Sequence, residues 1–379
     1  MLETISAFLR DILLGIVLAV SAVLGIFDVK EETRVALDTP TEVATSTTAG
    51  VAEEEPNILP VEENAEELAI SPVETPPPAP ATAKQTPPNS PAVALKSPEE
   101  VNDTARAALV NIVCTTAAGG PLNALSGSGV FIDNRGIILT NAHVAQYFLL
   151  QNYLKPGNVE CVIRTGAPAQ PKYRATLLFL PPAWVEENGK KITVTAPTGT
   201  GEHDYAFLLV TGVTNPNSSL PSSFPAISLT IAEPQPKEPV LLAAYPAGFL
   251  DGTSIAMNLY TASTITTIKN IYTFDGNPQI DLISVGGTIV SQGGSSGGAA
   301  VRMQDGALTG IIVTASSGAT TAERDLRAIT LAHINRSLIS AGMGGIAGLL
   351  AGSASIKAAE FKEIVAPGLT KILIEAIED

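Results

Sequence analysis

The feature that most limits the fold of this chain is a series of short apolar runs between residues 101 and 340. The runs are rich in aliphatic and β-branched residues and are separated by glycine, proline and asparagine, which favour turns. Many short strands at this spacing predict an all-β barrel or sandwich. The runs are ALVNIVCTT, GSGVFID, GIILTN, ECVIRT, ATLLFL, YAFLLV, PVLLAAYP, DLISVGGTIV and ALTGIIVTAS. Only AHVAQYFLLQNYL and the segment after RAITLAHINRSLIS favour helices in this region.

The N-terminus holds an uncharged apolar run from Ile12 to Phe27. As a helix this run spans roughly 24 Å, slightly less than the ~30 Å hydrocarbon core of a bilayer, and the preceding residues can lengthen it. We interpret residues 1–28 as a signal anchor, and a cleaved signal peptide or a buried soluble helix are the alternatives. Either of the first two implies that the rest of the chain is exported.

Residues 29–100 have a different composition, rich in proline, glutamate, alanine and threonine, without sustained periodicity. Between Asp28 and Glu100 there are 15 acidic and 4 basic residues, a net charge of −11 out of −15 for the whole chain. Such a segment cannot bury enough apolar surface to offset its ordering entropy, so we predict a disordered linker. Most of the acidity lies in this linker and therefore says little about a substrate.

Composition also excludes several classes of function. No basic cluster is present to meet phosphates, so we expect no nucleic-acid partner. The two cysteines form no Cys-x-x-Cys pair, and the three histidines, at 143, 203 and 333, are too scattered to indicate a metal site. We expect neither a metal nor an organic cofactor.

Two residues have positions that suit acid–base chemistry. His143 follows the apolar run GIILTN, and the end of a strand can hold a general base rigidly, although a single histidine is more often structural. Asp204 directly precedes YAFLLV, where a buried carboxylate could orient an imidazole. An exposed turn aspartate is the plainer interpretation of Asp204.

The stretch GGSSGG places Ser295 and Ser296 between two pairs of glycines. Four glycines in six residues are costly to order, so they require a reason. A surface turn is one explanation. The other is that one serine is a nucleophile and the glycines allow backbone N–H groups to approach the reacting atom.

These motifs follow one another in the order of a known family. SGSGVFID…GIILTNAHV, DYAFLLV, LLAAYPAG, GSSGGAAV and LTGIIVTAS…RAITLAHINRSL resemble the trypsin/chymotrypsin-like serine peptidases, and HtrA-like members most of all. The resemblance spans roughly residues 105 to 340. It implies two six-stranded antiparallel β-barrels and an endopeptidase that acts on proteins or peptides.

The resemblance also implies roles for individual residues. Ser296 would be the nucleophile, His143 the general base and Asp204 the residue that orients His143. The backbone N–H groups of Gly294 and Ser296 would form the oxyanion hole. Ser296 is preferred to Ser295 because it stands in the family position between Gly-x and Gly-Gly.

A substrate pocket and a disulfide follow from the same resemblance. Val290 would lie at the base of the primary pocket, and the wall would be formed by Val313, Thr314 and Ala315. Because no acid is present to pair with lysine or arginine, we expect cleavage after small or medium aliphatic residues. Cys114 and Cys161 would lie on the adjacent first and fourth strands of the first barrel and form a disulfide, or remain as two reduced, buried thiols.

The chain departs from the family in three places. Ser295 stands where digestive members carry an acid, and no Ile-Val-Gly-Gly start is present, so activation by a freed N-terminus is not expected. Residues 101–340 are predicted to be the peptidase domain. Fewer than 40 residues follow position 341, so we expect a helical tail over 341–379 and no PDZ domain. That tail would pack on the body or, alternatively, contact a membrane or partner.

Two other functions stay open at this point. GSSGG also matches the nucleophile elbow of α/β-hydrolases, and His333 with Asp305 or Asp325 would complete an esterase, although that fold needs long helices and a parallel sheet. A catalytically inactive peptidase that serves as a binding module is the second alternative. Such proteins usually have a broken triad, whereas all three positions are filled here. The sequence does not indicate the oligomeric state.

Overall fold

The computed structural model describes residues 96–116, 122–194, 199–274, 276, 278–315 and 320–379. The predicted membrane helix and all but the last five residues of the predicted linker lie outside these ranges. Across the described ranges, no helix is both long and apolar enough to cross a bilayer.

Thirteen strands are present in the described chain, together with short helices that lie before the first strand, between the strands and, after the last strand, at the C-terminal end. The strands are β1 Leu109–Thr116, β2 Leu125–Asp133, β3 Ile137–Thr140, β4 Val159–Thr165, β5 Gln170–Phe179, β6 Ala206–Val213, β7 Pro239–Ala244, β8 Ala262–Thr267, β9 Asn270–Tyr272, β10 Leu282–Gly286, β11 Ala299–Arg302, β12 Leu308–Ala315 and β13 Leu326–Thr330. The α-helices are α1 Pro98–Ala108, α2 Ala142–Ala145, α3 Pro182–Asn188, α4 Gly252–Met257, α5 Leu331–Ser340, α6 Gly345–Leu350, α7 Ala354–Glu360 and α8 Ala366–Glu378. The 3-10 helices are Gln146–Leu150 and Gly189–Lys191, and Phe361–Val365 forms a π-helical turn.

Helix α1 is a feature that the sequence pattern did not predict. It begins at Pro98, three residues inside the segment assigned to the linker. Ser97 Oγ accepts from Glu100 N at 3.1 Å, and Ser97 N donates to Glu100 Oε2 at 2.8 Å, which is a capping box. Val101 and Ala105 are buried, so one face of α1 joins the core of the peptidase body.

The first six strands form a closed antiparallel barrel in the order β1-β2-β3-β6-β5-β4. Strand β1 pairs with both β2 and β4, which closes the sheet and leaves it without an edge. The barrel contributes many fully buried large side chains to the core, among them Ile112, Phe131, Ile138, Leu139, Ile163 and Phe207.

The two cysteines lie directly opposite each other where this barrel closes. Cys114 on β1 and Cys161 on β4 are register partners, and their Cα atoms are 4.0 Å apart. A disulfide joins them. The described chain therefore contains no free thiol.

The second sheet differs from the closed six-stranded barrel that was expected. It has seven strands in the order β8-β7-β11-β12-β13-β10-β9. Strands β8 and β9 stand at its two ends, yet they are separated in the chain only by Ile268 and Lys269. Ile268 N donates to Glu238 O at 3.0 Å, and Lys269 N donates to Ser284 O at 2.7 Å. The bend at these two residues splits one long strand in two, and this accounts for the seventh strand.

The C-terminal helices cover the first barrel. Helix α7 packs on β5, and α8 packs on α3. Phe361 lies 6.3 Å from Phe179 between ring centroids, and Leu369 and Leu373 are buried. Two β-barrel-like sheets with helices at the C-terminal end are therefore confirmed as the architecture, and this frame places the ends of β3, β6 and β10–β12 near one another.

Candidate active site

The pairing of β3 with β6 brings His143 next to Asp204. Thr140, at the end of β3, is the register partner of Ala206, at the start of β6. His143 Nδ1 lies 2.7 Å from Asp204 Oδ2, and His143 N donates to Asp204 Oδ1 at 3.0 Å. One carboxylate thus contacts both the ring and the backbone of the histidine, which fixes the orientation of the ring and leaves Nε2 for proton exchange.

Burial and charge act in opposite directions on His143. Burial lowers the pKa of the imidazole, but the negative charge of Asp204 and the hydrogen bond to it raise the pKa, and the net result is a pKa above the usual value. Asp204 itself is 5% exposed. The His143 side chain is 26% exposed, so a substrate can reach it.

The glycine-rich loop binds to the first barrel beside this pair. Ser128 N donates to Ser296 O at 2.7 Å, and Ser128 Oγ donates to Gly294 O at 2.7 Å. A Cβ added to Gly297 would lie 2.1 Å from Ser128 O and 2.6 Å from Thr140 Oγ1. Only glycine permits this close approach, which places Ser296 near Thr140, three residues before His143.

The two adjacent serines have different surroundings. Ser295 is 1% exposed, and its Oγ has no hydrogen-bond partner among the described residues. Ser296 is half-buried. Of the two serines, Ser296 is therefore the one that a substrate can reach more easily. In the described chain His143 and Ser296 form no direct hydrogen bond, as is common in substrate-free active sites.

The backbone of this loop has two unused donors. Gly294 has φ +87°, and a Cβ there would lie 2.7 Å from Tyr245 O. Within the described ranges, the N–H groups of Gly294 and Ser296 have no acceptor, whereas Gly297 N donates to Ile312 O at 2.8 Å. Two free N–H groups flanking Ser295 are suited to stabilise an oxyanion.

The residues predicted for the substrate pocket lie in the second sheet and the loop before the nucleophile. Val290 is 0% exposed and Val313 is 4% exposed. Thr314 and Ala315 occupy the last two positions of β12. Sequence reasoning missed Arg324, whose Nη1 donates to Ser291 O at 2.9 Å, next to Val290. Arg324 is distant from Ser296 in the sequence, and no motif around Arg324 indicated this contact.

The arrangement required for an esterase is absent from the described chain. His333 Nδ1 contacts Asp281 Oδ1 at 2.8 Å, not either of the predicted acids. Asp305 pairs with Arg302, and Asp325 pairs with Arg327. The named strand pairs in both sheets are antiparallel, so the nucleophile elbow of an α/β-hydrolase is excluded as an explanation of GSSGG.

The family comparison agrees with this frame. The glycine-flanked serine lies on the loop between β10 and β11 of the second sheet, and this loop hydrogen-bonds to Ser128 of the first barrel. This is the arrangement of a serine-type endopeptidase, and this chain is one. Residues 127–311 match the model of the trypsin-like peptidase domain, so the chain carries a peptidase domain of the trypsin-like family. No curated protein matches the sequence. Among solved structures, the chain is similar to the serine endoprotease from Yersinia pestis, with 21% identity, coverage of 65% of this chain and 68% of that chain, and a TM-score of 0.40.

Proposed function

We propose that this protein cleaves peptide bonds within proteins through a triad of His143, Asp204 and Ser296. The observation that carries the proposal is the two-point contact between Asp204 and His143, at 2.7 and 3.0 Å, beside a loop in which Ser295 is buried and Ser296 is half-buried. The order of motifs along the chain further supports an HtrA-like member of the family.

Each residue has a defined step. Ser296 Oγ attacks the scissile carbonyl carbon while His143 Nε2 accepts the hydroxyl proton. The negative oxygen of the tetrahedral intermediate accepts hydrogen bonds from the N–H groups of Gly294 and Ser296, each worth about 3 kcal/mol in such sites. The imidazolium, stabilised by Asp204, then gives its proton to the leaving amine, and water releases the acyl group by the same steps.

The primary pocket is proposed to accept small or medium aliphatic side chains. Val290 and Val313 are apolar, and Thr314 and Ala315 complete the predicted wall. The guanidinium of Arg324 beside Ser291 adds a positive charge near the pocket base. None of the residues assigned to the pocket is an acid that could pair with an arginine or lysine side chain of a substrate, and burying such a charge unpaired is costly.

Residues 1–28 are proposed to tether the enzyme to a membrane, with residues 29–100 as a flexible stalk and the peptidase domain outside the cytoplasm. The uncharged run in the N-terminal segment supports the tether. The disulfide between Cys114 and Cys161 supports the location, because such bonds persist mainly in oxidising compartments.

Labelling with a fluorophosphonate probe tests the catalytic assignment. The wild type is expected to label and to cleave peptides. Ser296→Ala should do neither while it unfolds at the same temperature as wild type, because a half-buried hydroxyl contributes little packing. Ser295→Ala is the matched control, one residue away, and should retain most activity. Absence of labelling in folded wild type would favour the inactive binding module instead.

A further inference from the structure

The residues on both sides of Asp204 contact one hydroxyl group on helix α5. The Tyr205 hydroxyl donates to Ser337 Oγ at 2.8 Å, and His203 Nδ1 lies 3.2 Å from the same oxygen. Asp204 lies between these two residues in the chain. Ser337 therefore holds the chain immediately before and immediately after the carboxylate that contacts His143.

The turn that carries Asp204 needs anchors of this kind. Gly201 has φ +89° and His203 has φ +57°, so two residues of a five-residue turn are in the left-handed region. The second is not glycine, and a residue held in this way persists only where its surroundings impose the conformation. Within the turn, the backbone bonds are Asp204 N to Gly201 O at 3.2 Å and Tyr205 N to His203 O at 2.8 Å.

The anchors of the turn come from two different parts of the molecule. From the end of β3, Asn141 Nδ2 donates to Asp204 O at 2.8 Å. From the opposite side, Ser337 projects from α5, which follows β13 of the second sheet. Helix α5 is itself fixed to that sheet, because His333 Nδ1 and Arg336 Nη2 contact Asp281 Oδ1 at 2.8 and 2.6 Å. Ser337 thus links the turn that carries Asp204, in the first barrel, to a helix that is fixed to the second sheet.

The directions of the hydrogen bonds show what loss of the hydroxyl would do. Tyr205 is 0% exposed, and burial raises its pKa to about 12 although the bond to Ser337 opposes the shift, so the phenol stays protonated and donates. Ser337 Oγ therefore accepts from Tyr205 and also lies within hydrogen-bonding distance of His203 Nδ1. Without Ser337 Oγ, a buried phenol loses the acceptor that it has in this structure, and a buried donor left unpaired is costly.

We propose that Ser337 is a positioning residue for Asp204. By holding the two neighbours of Asp204, His203 and Tyr205, Ser337 sets the angle of the Asp204 carboxylate against His143. The proposal rests on the triad assigned above. It predicts that loss of the hydroxyl weakens the influence of Asp204 on the imidazole without removing any group that touches the substrate.

The test compares Ser337→Ala with Ser340→Ala. Ser340 is three residues further along the same helix and lines the same cavity, of about 400 Å³, but its hydroxyl forms no hydrogen bond among the described residues. Ser337→Ala should lower kcat roughly 10-fold with KM nearly unchanged, because misplaced catalytic groups slow the chemical step. Ser340→Ala should match wild type, and Ser337→Thr, which keeps the hydroxyl, should recover most of the rate.

The pH profile separates positioning from a general loss of structure. Asp204 is what raises the pKa of His143, so a displaced carboxylate lets that pKa fall, and the acid limb of kcat/KM should move to lower pH. Rates are expressed per active site, counted by fluorophosphonate labelling, so partial unfolding does not enter. Tyr205→Phe, which removes the donor from the other side, should move the limb in the same direction.

Three results would overturn the proposal: an acid limb at the wild-type pH in Ser337→Ala, an equal loss of rate in Ser340→Ala, or no recovery in Ser337→Thr. Asp204→Ala is measured in the same series to separate this proposal from the proposed function. Full activity in Asp204→Ala would refute the triad itself. An inactive Asp204→Ala together with a normal Ser337→Ala would refute only the positioning role.

Discussion

Replacement of Gly294 by alanine is the sharpest test of the oxyanion hole. Gly294 has φ +87°, where an alanine costs roughly 1–2 kcal/mol. The new Cβ would lie 2.7 Å from Tyr245 O, and ordinary contact begins at 3.4 Å, so these atoms must separate by about 0.7 Å. A shift of this size displaces the Gly294 N–H from the developing oxyanion.

The expected loss follows from that displacement. One oxyanion donor contributes about 3 kcal/mol to the transition state, so kcat of Gly294→Ala should fall roughly 100- to 1000-fold while KM changes little. Gly293→Ala is a matched control in the same loop, because the atom nearest to the added Cβ, Gly248 Cα, is 3.6 Å away. Gly293 also has no positive φ.

The assay is peptide hydrolysis at saturating substrate, with thermal unfolding measured for both variants. Gly294→Ala should label slowly with a fluorophosphonate, because that reaction also develops charge on the oxygen in the oxyanion hole. Wild-type kcat in Gly294→Ala, or an equal loss in Gly293→Ala, would refute the assignment of this N–H group.

Four further predictions address the pH dependence, the disulfide, the tether and the substrate preference. His143 must be neutral to accept a proton, and Asp204 raises its pKa, so activity should fall as pH drops through a value above the usual histidine pKa. An acid limb of the wild-type pH profile at or below the usual histidine pKa would contradict this. Asp204→Asn should lower kcat by about 10⁴. Replacing Cys114 and Cys161 by alanine should lower the free energy of unfolding by up to about 4 kcal/mol, because the disulfide links residues 47 positions apart and restricts the unfolded chain. An unchanged denaturant midpoint would argue against a stabilising disulfide. Deletion of residues 1–27 should release an active enzyme from the membrane fraction of expressing cells, and a mature chain that already starts near residue 22 by mass spectrometry would favour a cleaved signal. A peptide library cleaved by the active enzyme should show aliphatic residues before the cleaved bond. A preference for a charged residue at that position would contradict the proposed pocket.

The comparison of pattern and structure is most informative where the two differ. The apolar runs predicted most strands, but none of them covered β8 or β9, and the division between these two strands depends on hydrogen bonds from Ile268 and Lys269 to Glu238 and Ser284. Helix α1 had a readable signal, the Ser97 and Glu100 capping box with Pro98 at the first turn, that the proline-rich surroundings obscured.

By itself the sequence determined the β-rich class, the order of the motifs and the identity of the residues that can carry proton transfer and nucleophilic attack. These properties are local, because they depend on side-chain type, on alternation along a strand and on glycine at turns. It also indicated a contrast between an uncharged N-terminal run and an acidic linker.

Only the tertiary structure decided which of those residues meet. His143 and Asp204 are 61 positions apart, and the pairing of β3 with β6 brings them to 2.7 Å. The preference for Ser296 over Ser295 came from the family position, and the structure adds that Ser295 is buried. The contacts of Arg324 and Ser337 had no signal in the sequence. Such contacts depend on strand register and on how two sheets and a helix pack together, and packing is a property of the whole folded chain, not of any segment read alone.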